Sequence, residues 1–280
     1  MKKVLIIGVN SFLGTSLIEQ LKGNSEITGV YHKGKDNLLQ KEVNYVKTEE
    51  LFNLKNEYRI VYFISAFIPK TQPELSDNRL LKVNVKLLEN TVKHFSSARF
   101  VLASSVSVYG DNTKNINERS SSYGLNGYGL SKLQGEVILK KHSSYSIFRI
   151  SSMYGIGMNK STFIPRIIEE AINTGTITLL GDGSRLQNYI HVSDVARMMV
   201  LAGSQSDNSL FLSVSERSYS NSDIAIMVKH HLPQVKIVFK DADNSPSYTY
   251  DAEFTYGKLN FSPLKKIEIE LEQLIKWMKK

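Results

Sequence analysis

Val4-Leu5-Ile6-Ile7-Gly8-Val9-Asn10-Ser11-Phe12-Leu13-Gly14 is the stretch that decides the fold of this chain. Four consecutive aliphatic residues suit a strand covered on both faces, as in a parallel sheet. Apolar positions then recur at Phe12, Leu13, Leu17, Ile18 and Leu21, the spacing of a helix over residues 12–22. Between the two, Gly8 permits a tight turn and Gly14 lets the helix pack closely against the strand. The helix start offers N–H groups and a partial positive charge to a phosphate-bearing ligand. Ser11 stands where a middle glycine is usual, so the loop reads Gly-x-x-x-x-x-Gly.

The same alternation continues outward. Residues 27–31, 59–66, 100–103 and 145–150 read as strands, and 77–95 and 127–141 as helices. This order implies right-handed crossovers and an α/β fold, a doubly wound parallel-sheet Rossmann domain. The second half is less regular. It reads as helices over 160–173, 193–203 and 221–231, strands over 176–180, 210–214 and 235–239, and a helix from about 267. The expectation is a dinucleotide-binding domain over 1–155, rejoined by 184–215. A smaller, interleaved α/β substrate domain takes 156–183 and 216–280.

The composition excludes several classes. With 280 residues, 41% hydrophobic and 22% charged, the chain builds an ordinary globular core. The absence of cysteine rules out disulfides, thiolate catalysis and Cys-ligated metal, and fits a cytoplasmic location. The apolar run after Lys2-Lys3 is too short for a signal peptide, and no stretch is long enough to span a bilayer. The formal charge of +8 reads as a lysine-rich, solvated surface, or as attraction toward an anionic cofactor or substrate. Its lysines are scattered, without interleaved aromatics, so nucleic acid is not an expected partner. His230-His231 has no carboxylate at ligand spacing, and no metal site is expected.

Two further stretches carry chemistry. The strand over 27–31 ends without the carboxylate that would bind ribose hydroxyls; His32, Lys33 and then Lys35 follow instead. Such a rim suits a 2′-phosphate, and the reading favours NADP(H) over NAD(H). Tyr128 and Lys132 lie four residues apart on one face of a helix. A lysine beside a phenol stabilises the phenolate and lowers its pKa toward the working range. A phenol so tuned exchanges a proton with a carbonyl or alcohol oxygen while hydride moves. Ser104-Ser105, directly after a strand, supplies a hydroxyl to hold the reacting oxygen.

Taken together, Gly8-x-x-Ser11-x-x-Gly14, Ser104-Ser105-Val-Ser-Val-Tyr109-Gly110 and Tyr128-x-x-x-Lys132 resemble the extended short-chain dehydrogenase/reductases. These include the NAD-dependent epimerase/dehydratases of nucleotide sugars and related ketosugar reductases. Asn84-Val85, Arg149 with Tyr154-Gly155, Gly181-Asp-Gly-Ser, Tyr189-Ile-His191-Val-Ser-Asp194-Val-Ala and Leu259-Asn-Phe261-Ser-Pro263 extend the resemblance over nearly the whole chain. It implies a catalytic triad of Ser105, Tyr128 and Lys132. It implies a pyrophosphate held by Gly8, Ser11, Phe12, Leu13 and Gly14, with Ala66 near the adenosine ribose and Ser104 on the nicotinamide side. Tyr128 and Lys132 would also border the cofactor, Lys132 at the nicotinamide ribose. Ser105 and Tyr128 would face the substrate, and a homodimer would form through the helices carrying Asn84 and Tyr128.

The chain departs from the family pattern at Gln187-Asn188, where many members carry Arg-Asp and the arginine contacts a substrate pyrophosphate. Arg185 is the candidate substitute. The expected activity is hydride transfer at a C4 keto or hydroxyl carbon of a nucleotide-activated sugar. The alternatives are a C4 epimerase with tightly bound NAD, a reductase of a non-nucleotide carbonyl compound, and a non-catalytic NAD(P)-binding sensor.

Overall fold

A computed structural model of the chain describes residues 1–34 and 40–280; Lys35 lies outside the described residues. The first half contains β1 (Lys2–Ile7), α1 (Phe12–Leu21), β2 (Ser25–Tyr31), β3 (Val43–Lys47), β4 (Ile60–Phe63), α2 (Asn78–Leu81), α3 (Leu87–His94), β5 (Arg99–Ser105), α4 (Gly127–Leu139) and β6 (Tyr145–Ile150). The second half contains β7 (Ser152–Tyr154), α5 (Phe163–Thr174), β8 (Thr176–Leu180), β9 (Leu186–His191), α6 (Val192–Gly203), β10 (Ser209–Ser213), β11 (Ser218–Ser220), α7 (Asn221–His231), β12 (Lys236–Lys240), α8 (Glu253–Leu259) and α9 (Ile267–Met278).

The main sheet is parallel, in the order β3-β2-β1-β4-β5-β6-β10. Strand β1 is an interior strand, with Val4 paired to Ile27 on one side and Ile60 on the other. Its aliphatic run alternates between two cores. Val4 and Ile6 pack with Leu17 of α1 and Met198 of α6, whereas Leu5 and Ile7 pack with Leu88 of α3 and Leu139 of α4. A strand sealed on both faces has no polar side to alternate, hence the unbroken apolar run. The order reverses between β1 and β4, so the loops that follow these two strands open a crevice at the carboxyl edge.

The helix expected over 77–95 is divided by a π turn, Lys82–Lys86, which carries the buried Asn84. Strand β4 is shorter than expected, and residues 64–66 leave the sheet at its carboxyl edge. Sequence periodicity missed β3, β7, β11 and α8; β7 and β11, three residues each, are too short to show a period.

In the second half, β9 pairs with β7 and β11 in a separate three-stranded sheet, while β10 joins the main sheet beside β6. The stretch 184–215 is therefore divided between the two sheets. Strands β8 and β12 form a parallel pair, and a third apolar cluster gathers Ile168 of α5, Val228 of α7 and Leu271 of α9. The buried Asp194 at the start of α6 accepts from the Leu264 and Lys265 N–H groups at 3.2 and 3.0 Å, which pins the segment leading into α9. Among the described residues, no helix is long and apolar enough to cross a membrane.

Candidate active site

The glycine loop closes against the strand that follows it in space. Gly8 has φ +96°, and a Cβ at this position would lie 2.8 Å from Ser65 N, just beyond β4. The Gly8 and Val9 N–H groups donate to Val30 O at 2.9 and 3.1 Å, tying the turn to β2. Ser11 caps α1, its Oγ accepting from Gly14 N at 3.1 Å. Among the described residues, no acceptor takes the Phe12 and Leu13 N–H groups. A pyrophosphate fits this cradle. The loop approaches by backbone alone at Gly8, and two helix N–H donors are available beside it.

A cleft of about 530 Å³ opens here. Gly8, Ser11, Phe12 and Leu13 line one side of it, and Ser104, Ser105, Tyr128 and Lys132 another. Ala66 and His32 border it as well, and Met153, Met158, Asn159 and Thr162 form a wall from the second half. The structure thus gathers ten of the expected residues from both halves of the sheet into one crevice, with Gly14 buried directly behind the loop. Lys33 and Arg185 do not line it. Arg185 begins the approach to β9, and its Nε donates to Pro246 O at 3.4 Å. His32 is largely exposed and stands 3.7 Å from Glu49 Oε1, so a carboxylate from the turn after β3 joins the expected basic rim.

Tyr128 and Lys132 project from α4, whose start is capped by Asn126 Oδ1 accepting from Gly129 N at 2.9 Å. Lys132 is buried, and its Nζ donates to Ala103 O of β5 at 2.6 Å. Burial lowers its pKa to about 8, against the opposing pull of Glu136. Sequence reasoning expects Lys132 to draw the Tyr128 phenol downward. Here the ammonium is engaged by the Ala103 carbonyl, and burial instead pushes Tyr128 up to about 12, opposed by the Ser105 hydroxyl. The phenol is therefore protonated at neutral pH. Ser105 sits at the end of β5, where its Oγ accepts from Ser107 N at 3.1 Å and caps a short 3-10 turn.

Two supporting residues complete the site. Asn84 spans the gap between the loop after β4 and α4: its Oδ1 accepts from Phe67 N at 2.8 Å, and its Nδ2 donates to Phe67 O and Ser131 Oγ at 3.1 and 3.0 Å. The π turn adds the extra residue that turns this amide inward, a common device at functional sites. Glu136, fully buried on α4, accepts from Ser104 Oγ at 2.6 Å and from Arg149 Nε and Nη2 at 3.0 and 2.8 Å. Sequence reasoning passed over Glu136. The available signal was a carboxylate four residues beyond Lys132, on the same helical face. His191 caps α6 by accepting from Ser193 N at 3.2 Å.

Comparison with known proteins identifies the family and the fold. Residues 4–210 match the model of the NAD dependent epimerase/dehydratase family. The chain is 25% identical over 224 residues, 70% of each chain, to an uncharacterised UDP-glucose epimerase of Bacillus subtilis (strain 168). It is also 25% identical over 230 residues, 70% of this chain and 71% of the other, to a dTDP-4-dehydro-6-deoxy-D-allose reductase of Streptomyces bikiniensis. In fold it is similar to the UDP-glucuronic acid 4-epimerase of Bacillus cereus, solved with UDP-glucuronic acid and NAD, at a TM-score of 0.87, 21% identity and 99% coverage of both chains. This chain is an enzyme, and it belongs to the NAD-dependent epimerase/dehydratase family.

Proposed function

We propose that this enzyme transfers hydride at the C4 carbon of a nucleotide-activated sugar, with Tyr128 as proton donor and acceptor. The observation that carries the reading is the single cleft lined by both the Gly8 loop and Ser105, Tyr128 and Lys132. The nucleotide-sugar substrates named for its relatives support the substrate class. We further propose that 1–155 with part of 184–215 forms the cofactor unit, that 156–183 and 216–280 form the sugar-nucleotide unit, and that two copies associate through the helices carrying Asn84 and Tyr128.

When bound, the nicotinamide supplies or accepts the hydride. The Gly8 turn and the start of α1 would hold its pyrophosphate, with Ala66 toward the adenosine ribose and Ser104 toward the nicotinamide. Ser105 would donate a hydrogen bond to the sugar oxygen. In the reducing direction, the protonated Tyr128 gives its Oη proton to the carbonyl oxygen, leaving a phenolate that the Lys132 ammonium stabilises. In the oxidising direction, the phenolate takes the proton of the C4 hydroxyl. Lys132 is buried, and the low polarity around its ammonium strengthens its attraction for the phenolate.

A thermal-shift screen of UDP-, dTDP- and GDP-sugars in the presence of cofactor identifies the substrate, and absorbance of the reduced nicotinamide then follows turnover. Tyr128→Phe is expected to lower turnover by at least about a hundredfold while sparing cofactor binding. Retained turnover removes Tyr128 as proton donor; no shift with any nucleotide sugar removes the substrate class. The finer preference for NADP(H) rests on His32 and Lys33. A clear preference for NAD(H) in measured dissociation constants overturns it and points to Glu49.

A further inference from the structure

We propose that Glu136 is a positioning residue of this site: its buried carboxylate locks α4 onto β5 and β6 and so holds the Lys132 ammonium in register with Ala103 and Ser105. The proposal rests on the reading of Tyr128 and Lys132 as the proton-transfer pair.

Three observations carry it. Glu136 follows Tyr128 and Lys132 by eight and four residues on α4, so all three share a helical face. Its carboxylate receives Ser104 Oγ from β5 and both Arg149 donors from β6, and Ser104 and Arg149 are register partners on these adjacent strands. Ser104 is flanked in sequence by the residue whose carbonyl takes the Lys132 ammonium and by the hydroxyl residue facing the cleft. One carboxylate thus ties the helix bearing the proton donor to the strand bearing its partners, next to the chemistry rather than at a remote seam. The Ser104 hydroxyl is spent on this tether, although the residue borders the cleft.

A buried ion pair adds little stability compared with apolar residues of the same volume. Its placement beneath a buried ammonium gives it another use. The groups gathered at Lys132 are Tyr128 and Glu136 on its own helix, the Ala103 carbonyl and Ser104 and Ser105 hydroxyls on β5, and Arg149 on β6. Beyond these, Tyr109 lies under the Arg149 guanidinium at 4.6 Å. Of the charged members, Glu136 is the one whose influence reaches Lys132, and it favours the ammonium that burial disfavours. Without the carboxylate, Lys132 releases its proton at lower pH, and less ammonium remains to stabilise the phenolate.

The test compares wild type with Glu136→Gln. The Lys132 Nζ is titrated by NMR on isotope-labelled lysine side chains, with its resonance assigned from Lys132→Met. The expected result is a titration midpoint lower by about one pH unit. The limb of the pH–turnover profile that reports Lys132 should move by the same amount, with kcat falling more than KM changes. A folded Glu136→Gln variant with both the midpoint and the profile unmoved overturns the proposal and leaves Glu136 a structural ion-pair partner. Should Glu136→Gln fail to fold, the double variant Glu136→Gln/Arg149→Met leaves no orphaned guanidinium; its Lys132 midpoint is read against that of Arg149→Met, so that only the carboxylate differs, and no difference between the two has the same meaning. Tyr128→Phe separates the two levels. If it stays active, the proton-donor reading fails while the titration still reports on Glu136. If it is inactive and the Lys132 midpoint does not move, the positioning role alone fails.

Discussion

Replacing Gly14 with alanine should cripple cofactor binding out of proportion to its size. A Cβ at Gly14 would stand 2.6 Å from Val9 C and 2.8 Å from Gly8 O, with Val9 O nearer still. All three are backbone atoms of the phosphate loop, so no side chain can swing aside. Carbon atoms in contact settle near about 3.5–4.0 Å, which leaves about 1 Å to be found by moving α1 away from the loop. Overpacking of this kind costs about 1–3 kcal/mol, or about 2–10 °C in Tm for a chain of this size. The same displacement carries the Phe12 and Leu13 N–H groups off the phosphate position, and an error of about 1 Å in a positioned group costs up to about a hundredfold. Differential scanning calorimetry measures the first effect, and titration of NADH fluorescence the second. Gly23→Ala is the control. Gly23 also has a positive φ, +80°, but its Cβ would meet nothing within 4 Å. Its alanine variant should lose about 1 kcal/mol and leave NADH affinity unchanged. A Gly14→Ala protein that binds NADH as tightly as Gly23→Ala does would refute the argument that close backbone packing builds the phosphate cradle.

Lys132 makes stability depend on pH in a definite direction. Its folded pKa of about 8 lies below the ordinary value of 10.5, so the unfolded chain binds more protons between these values, and stability attributable to this group rises with pH across that window. Lys132→Met should therefore stabilise the fold most near neutral pH, with an advantage of up to about 3 kcal/mol that fades toward about pH 10. Urea unfolding at both pH values checks the sign, and an advantage that grows with pH contradicts it. At the opposite end of the sheet, the buried Arg99 guanidinium donates to the Ala202, Tyr145 and Asp207 carbonyls and to the Ser144 and Ser146 hydroxyls. Arg99→Met orphans these acceptors and should cost about 3 kcal/mol in urea unfolding, with NADH affinity preserved because the site lies at the other edge of β5. A loss below about 1 kcal/mol would mean that water replaces the guanidinium at these carbonyls.

The sequence alone determined the parallel nucleotide-binding sheet, the loop at Gly8 and the pairing of Tyr128 with Lys132 on one helical face. Each is a local pattern: an apolar run, a helical period, a glycine between them, or a spacing of four. Such patterns are written in neighbouring residues and survive without knowledge of the rest of the chain. Only the tertiary structure decided what the charged groups do. Whether Lys132 binds the phenol or the Ala103 carbonyl depends on how deeply α4 seats against β5, and that depth is set by packing across many residues. Glu136 becomes a buried tether because Ser104 and Arg149 arrive beside it from two strands. Arg185, at the approach to β9, does not line the cleft and instead reaches the Pro246 carbonyl. The partners of a buried charge are chosen by long-range strand order and desolvation, and neither leaves a period in the sequence to read.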